Sequence, residues 1–140
     1  TGGFASEDQV FKGLAYGEDH ILGIGLCRAS MAAAMTGKTI GEQINKGHVP
    51  ERFIPYGSTV EEIFCDLADL RAIYGTQANT FSTGAIGVFS YLNKIAFGLQ
   101  HFAALNRKFN ISLLDKSDII PLTSEARALM KNRWFYQLQQ

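Results

Sequence analysis

The stretch His20-Ile21-Leu22-Gly23-Ile24-Gly25-Leu26-Cys27-Arg28 decides how the chain reads. Its apolar run is short and bounded by acids and glycine, which favours a buried strand over His20–Gly25. A helix follows almost at once, because Ala29-Ser30-Met31-Ala32-Ala33-Ala34-Met35 carries strong helix formers and meets a stop near Gly37. Upstream, Ser6-Glu7-Asp8-Gln9 has capping-box spacing. Val10, Phe11, Leu14 and Ala15 then repeat at helical spacing, and Gly17 ends that helix as a left-handed terminator. The order is loop, helix, strand, helix.

Glycines at a strand end let backbone approach a ligand and leave amide groups turned toward an anion. Gly2-Gly3 precede the first helix and Gly23-Ile24-Gly25 precede the second, a spacing that matches one βα unit. In an eight-stranded βα barrel the loops after the last two strands, with a helix start, commonly hold phosphate. Residues 1–40 therefore read as α/β, the last βα unit of a TIM (β/α)8 barrel, with Gly2, Gly3, Gly23 and Gly25 at the phosphate. Arg28 stands where a guanidinium could brace the phosphate or pair with a surface acid. A dinucleotide-binding turn is the main rival, but Gly23-x-Gly25-x-x-Arg28 lacks the third small residue, and no strand ending in an acid follows Met35.

Beyond residue 40 the texture changes. Gly41, Gly47, Pro50, Pro55 and Gly57 predict an irregular connection over 41–57, and 58–140 reads as a helical extension packed on the barrel. Ser58 and Glu61 have capping-box spacing, and Ile63, Phe64, Leu67, Leu70 and Ile73 carry an apolar stripe to Gly75. After a polar loop, a long helix from Gly84 towards Phe109 presents a broad face through Val88, Tyr91, Leu92, Ile95, Leu99, Phe102, Ala103 and Leu105. Asp115-Lys116-Ser117-Asp118 predicts a turn, and Thr123-Ser124-Glu125 starts a last helix to about Tyr136.

Composition bounds the function. The 140 residues are 46% apolar and 19% charged, enough for one globular domain. Basic and acidic residues balance at 13 each, so no general field gathers nucleic acid or an anionic membrane. Lys131, Arg133, Trp134 and Tyr136 have a base-stacking texture, but a helix end packing its aromatics is the commoner arrangement, and the balanced charge does not help binding. Asn93, Lys94, Gln100 and His101 interrupt the apolar run from Phe81 to Leu105, which favours a buried helix over a membrane span. Cys27 and Cys65 form no metal-type pair and fit a reduced, cytoplasmic protein. His20, His48 and His101 are isolated from one another, so no metal site is expected. Asp66 and Asp69 lie three apart on one helix face and could act as paired carboxylates, but a solvated acidic face is the ordinary explanation. The opening Thr1-Gly2-Gly3-Phe4 has neither an initiator Met nor a signal peptide, and the chain is expected to be cut from something longer.

Thr1-Gly2-Gly3, Gly23-Ile24-Gly25-Leu26-Cys27-Arg28 and Ala32-Ala33-Ala34-Met35-Thr36-Gly37-Lys38-Thr39-Ile40-Gly41 together resemble the C-terminal end of the FMN-binding, glutamate-synthase-like domain family. The resemblance continues through Asp69-Leu70-Arg71-Ala72-Ile73-Tyr74-Gly75, Gly84-Ala85-Ile86-Gly87, Gly98-Leu99-Gln100, Asn106-Arg107-Lys108-Phe109 and Leu122-Thr123. It implies a flavoprotein oxidoreductase of glutamate biosynthesis that moves electrons through FMN to a 2-iminoglutarate derived from 2-oxoglutarate. By the same implication Gly2, Gly3, Gly23, Gly25 and Arg28 face the FMN phosphate, and the missing N-terminal part of the barrel is the partner that supplies the ring and substrate contacts. No catalytic residue carries over, and the fragment alone is expected to be inactive. The cysteine cluster that holds an iron–sulfur centre in large glutamate synthases has no counterpart after Cys27. Two other readings stay open: a helical interaction module without catalysis, including a homo-oligomer, and a different FMN barrel such as a 2-hydroxy acid oxidase.

Overall fold

The computed structural model describes residues 2–130. Its α-helices are α1 (Glu7–Gly17), α2 (Arg28–Asn45), α3 (Val60–Ile63), α4 (Leu67–Tyr74), α5 (Thr83–Leu105) and α6 (Ser124–Met130), with short 3-10 turns between them. No strand occurs among the described residues, so the expected α/β barrel unit is overturned: the chain is all-α. The reason lies in backbone pairing. Glu18–His20 close into a 3-10 turn, and from Ile21, in an extended conformation, to Cys27 the backbone is irregular. A β-ladder needs a second extended segment to share its N–H and C=O groups, and no described segment supplies one. Leu22, expected in a core strand, is fully exposed.

The contacts divide the chain into two units, one formed by Thr1–Leu26 with Ile95–Gln140 and the other by Cys27–Lys94. They are called unit 1 and unit 2 below. Helix α5 contributes its first half to unit 2 and its second half to unit 1.

Within unit 2, α2 does not stop near Gly37 but runs to Asn45, replacing the first part of the expected connection. Gly37 and Gly41 are helix-contact residues. A Cβ on Gly37 would stand 2.5 Å from the Thr83 carbonyl oxygen and 3.2 Å from the Gly87 Cα. One on Gly87 would stand 2.8 Å from the Ala33 carbonyl oxygen, and one on Gly41 would strike the Thr83 side chain. The four-residue spacing of Ala33, Gly37 and Gly41 puts them on one helix face, where α5 crosses backbone against backbone. Ile40 and Ile86 flank this crossing and join Phe64, Leu67, Leu70 and Ala78 in the core of unit 2.

The helix expected from residue 58 to Gly75 is two helices. Phe64 leaves helical geometry at φ −98°, ψ 72°, and is buried in the core with Leu67. Asp66, in the break, accepts a 3.3 Å hydrogen bond from Asn93 Nδ2 of α5. The capping box forms one residue later than the Ser58/Glu61 spacing suggested: Thr59 Oγ1 accepts from the Glu62 amide, and Glu62 Oε2 accepts from the Thr59 amide. Glu62 also accepts from the Ser58 amide, the main reason its carboxyl is held below the ordinary range. Gly75 closes α4 at φ +60°, as expected of a glycine after a last helical residue.

Unit 1 packs α1 against the second half of α5 and the segment after it. Phe11, Ala15, Ala103 and Leu114 form its buried centre, with the Phe11 and Phe102 rings 5.2 Å apart. The α1 capping box expected between Ser6 and Gln9 does not form. Gln9 Oε1 accepts from the Ala5 amide, but the Ser6 hydroxyl donates to Asp8 and makes no cap to the helix. Gly17 is still helical, and the positive φ expected of it falls on Glu18, at +48°. Glu18 accepts from the Lys116 amide at 3.3 Å and from Lys116 Nζ at 3.4 Å, which ties the end of α1 to the 115–118 turn. That turn is present as expected, built on a capping box between Asp115 and Asp118.

Helix α5 ends at Leu105, four residues before the expected Phe109. Its exit has the hydrogen-bond pattern of a Schellman motif: the Lys108 amide donates to the Ala103 carbonyl and the Arg107 amide to the Ala104 carbonyl. The left-handed position is filled by Arg107, at φ +57°. Glycine takes this conformation without the Cβ clash that costs other residues about 1–2 kcal/mol. Arg107→Gly is therefore expected to stabilise the protein by about 0.5–1 kcal/mol, offset in part by the greater freedom of glycine in the unfolded chain. A lower urea midpoint for Arg107→Gly would contradict this account of the turn.

The last helix is described only as far as Met130, so its expected extension to Tyr136 and the Lys131, Arg133, Trp134 and Tyr136 group lie outside the described residues. Among the described residues no helix is long and apolar enough to cross a membrane.

Candidate functional site

The glycines singled out in the sequence sit on two irregular segments of unit 1, residues 2–5 and 21–26. Gly2, Gly3, Gly23 and Gly25 are all exposed. Gly3 has φ +96°, a conformation that L side chains rarely adopt. Around Gly2 and Gly23 a Cβ would meet nothing within 4 Å, so no neighbour among the described residues demands glycine there.

A third glycine brings the two segments together. A Cβ on Gly13, in the middle of α1, would stand 2.9 Å from Phe4 Cε1 and 3.0 Å from Ile24 Cδ1. Phe4 follows Gly2-Gly3 directly, and Ile24 lies between Gly23 and Gly25. Both glycine-bearing segments are thus seated on one bare patch of α1, and the absence of a Cβ at Gly13 is what lets them approach. Sequence reasoning missed Gly13. A glycine inside an apolar-periodic helix is a cue to close backbone approach, and that was the available signal.

The helix starts that follow these segments differ in charge. The first turn of α1 contains Glu7 and Asp8. Asp8 is held down to about 2 by the hydrogen bond from Ser6 and then by that from Lys12, so it is ionised throughout the ordinary pH range. A carboxylate already occupies the positive end of that helix, which makes the α1 start a poor place for a second anion. The first turn of α2 contains no acid and takes no side-chain cap from Cys27. Helix starts of this kind present N–H groups and a partial positive charge. Arg28 opens α2 and is exposed.

No family model, curated protein or solved structure matches this chain.

The remaining candidates stay apart. Cys27 and Cys65 are both free and exposed thiols. His20, His48 and His101 are exposed, and His101 Nδ1 lies 2.9 Å from the Phe97 carbonyl oxygen, one turn back on α5. Among the described residues no three His, Cys, Asp or Glu side chains gather as a metal site. Asp66 is engaged with Asn93 while Asp69 stays exposed, so the two do not form a working carboxylate pair. The open glycine backbone belongs to unit 1, while the acid-free helix start and the exposed Arg28 belong to unit 2.

Proposed function

We propose that the chain belongs to a flavin (FMN)-dependent oxidoreductase of the glutamate-synthase type, in which it holds the cofactor's phosphate and supplies helical cover, not the reacting centre. The seating of the Gly2-Gly3 and Gly23–Gly25 segments together over Gly13 is the observation that carries this reading. The extended resemblance in sequence supports it. FMN, when bound in such an enzyme, supplies the electrons that reduce a 2-iminoglutarate to glutamate. On this reading Gly2, Gly3, Gly23 and Gly25 offer backbone amides to the phosphate, and the resemblance assigns it Arg28 as well, whose guanidinium can engage a phosphate in a bidentate manner.

The test compares FMN with riboflavin, which carries the same ring and no phosphate. Titrating each into the chain and following flavin fluorescence is expected to show weak FMN binding and still weaker riboflavin binding. Arg28→Ala is expected to reduce FMN affinity about tenfold, equivalent to about 1.4 kcal/mol, and to leave riboflavin unchanged. Equal binding of the two flavins, or an Arg28→Ala variant that binds FMN like the parent, would remove the phosphate role.

A second reading, a helical interaction module without catalysis, is favoured by the all-α architecture and by large exposed apolar side chains such as Phe109 and Leu122. It predicts no response to either flavin and self-association that grows with concentration. The same samples, examined by sedimentation, separate the two readings.

A further inference from the structure

We draw no further inference here: the strongest candidate, the apolar groove of about 630 Å³ in unit 1 between α1 and the 118–122 segment, lined by Phe11, Tyr16, Phe102, Ile119 and Leu122, has charged lining residues already paired within the chain, Asp8 with Lys12 and Asp118 with Lys108, and nothing in the structure shows what covers it.

Discussion

Gly37→Leu is expected to lower the stability of unit 2 by at least about 3 kcal/mol, and Gly37→Ala by about 1–2 kcal/mol. Helix propensity alone predicts the opposite sign for alanine, since alanine in a helix interior is favoured over glycine by about 0.8–1 kcal/mol. Contact geometry decides against it. The new Cβ would lie 2.5 Å from the Thr83 carbonyl oxygen, a backbone atom fixed in the first turn of α5, and 3.2 Å from the Gly87 Cα. Neither atom can swing away as a side chain could, so α2 and α5 must separate and the packing of Ile40 and Ile86 loosens with them. Gly84→Ala is the graded comparison, because its Cβ would stand 3.0 Å from the Ala34 carbonyl oxygen and ask for a smaller shift. Urea unfolding of the three variants should rank their midpoints with Gly84→Ala highest and Gly37→Leu lowest. A midpoint for Gly37→Ala above that of the parent protein would show that the helices do not cross here.

The second large effect is expected at Lys108. Its ammonium donates to Asp115 and to Asp118, each at 2.7 Å. The Lys108 side chain is 19% exposed and that of Asp118 only 5%. Truncating Lys108 to alanine leaves the Asp118 carboxylate buried without its cation, a change that costs about 3 kcal/mol or more in comparable settings. The exposed Lys12–Asp8 pair on α1 has the same chemistry at 3.0 Å, but solvent screens it, and Lys12→Ala is expected to shift the thermal midpoint far less than Lys108→Ala.

The pH dependence of the Lys108 cluster follows from the directions of the shifts. Burial works to lower the Lys108 pKa, but its hydrogen bonds to Asp115 and then Asp118 outweigh this and hold it above the ordinary value. The stabilisation from Lys108 is therefore complete below about pH 10, the unfolded value, and is lost as pH rises through the folded one. Asp115 is held down to about 2, first by the hydrogen bond from Lys108 and then by that from Ser117. Its contribution is present above about pH 4 and disappears as pH falls towards 2. Thermal melts of the parent should accordingly form a plateau between about pH 5 and 9. In Lys108→Ala the plateau should drop and its alkaline shoulder should flatten. A variant that keeps the parent's alkaline shoulder would assign that shoulder to another group.

Features decided by neighbours in sequence could be read without the structure. The 115–118 turn and the glycine stop at Gly75 belong to this class, since each is set by a few adjacent side chains and one backbone conformation. The cap of α3 was nearly readable: Ser58 and Thr59 compete for the same role, and the one-residue offset depends on which hydroxyl Glu62 can meet. Features decided across the chain were not readable. Gly37 and Gly41 look like helix stops because local rules see only their entropy cost, whereas their value lies in the space they leave for Thr83 and Gly87. His20–Gly25 has the composition of a strand, but a strand is a relation between two segments, and no second one pairs with it among the described residues. The candidate site divides in the same way. Its glycines could be picked out from the sequence as open backbone, while the seating of Phe4 and Ile24 against Gly13 is a tertiary fact.

Unit 1 draws on both ends of the described chain, and the bond between Lys116 and Glu18 spans 98 positions. Unit 2 is assembled from one continuous stretch, residues 27–94. Closing a long loop costs entropy before any contact rewards it, and non-local topologies form more slowly than local ones. The two units should therefore mature in sequence during synthesis and refolding, with the middle of the chain gaining protection first and α1 waiting for the 108–118 segment. Pulsed hydrogen exchange should find α2 amides protected before those of α1. Simultaneous protection would instead mark a single cooperative event. Until that late closure, the Phe11 and Ala15 face of α1 has no core to enter, and this is the interval in which the protein is most exposed to aggregation.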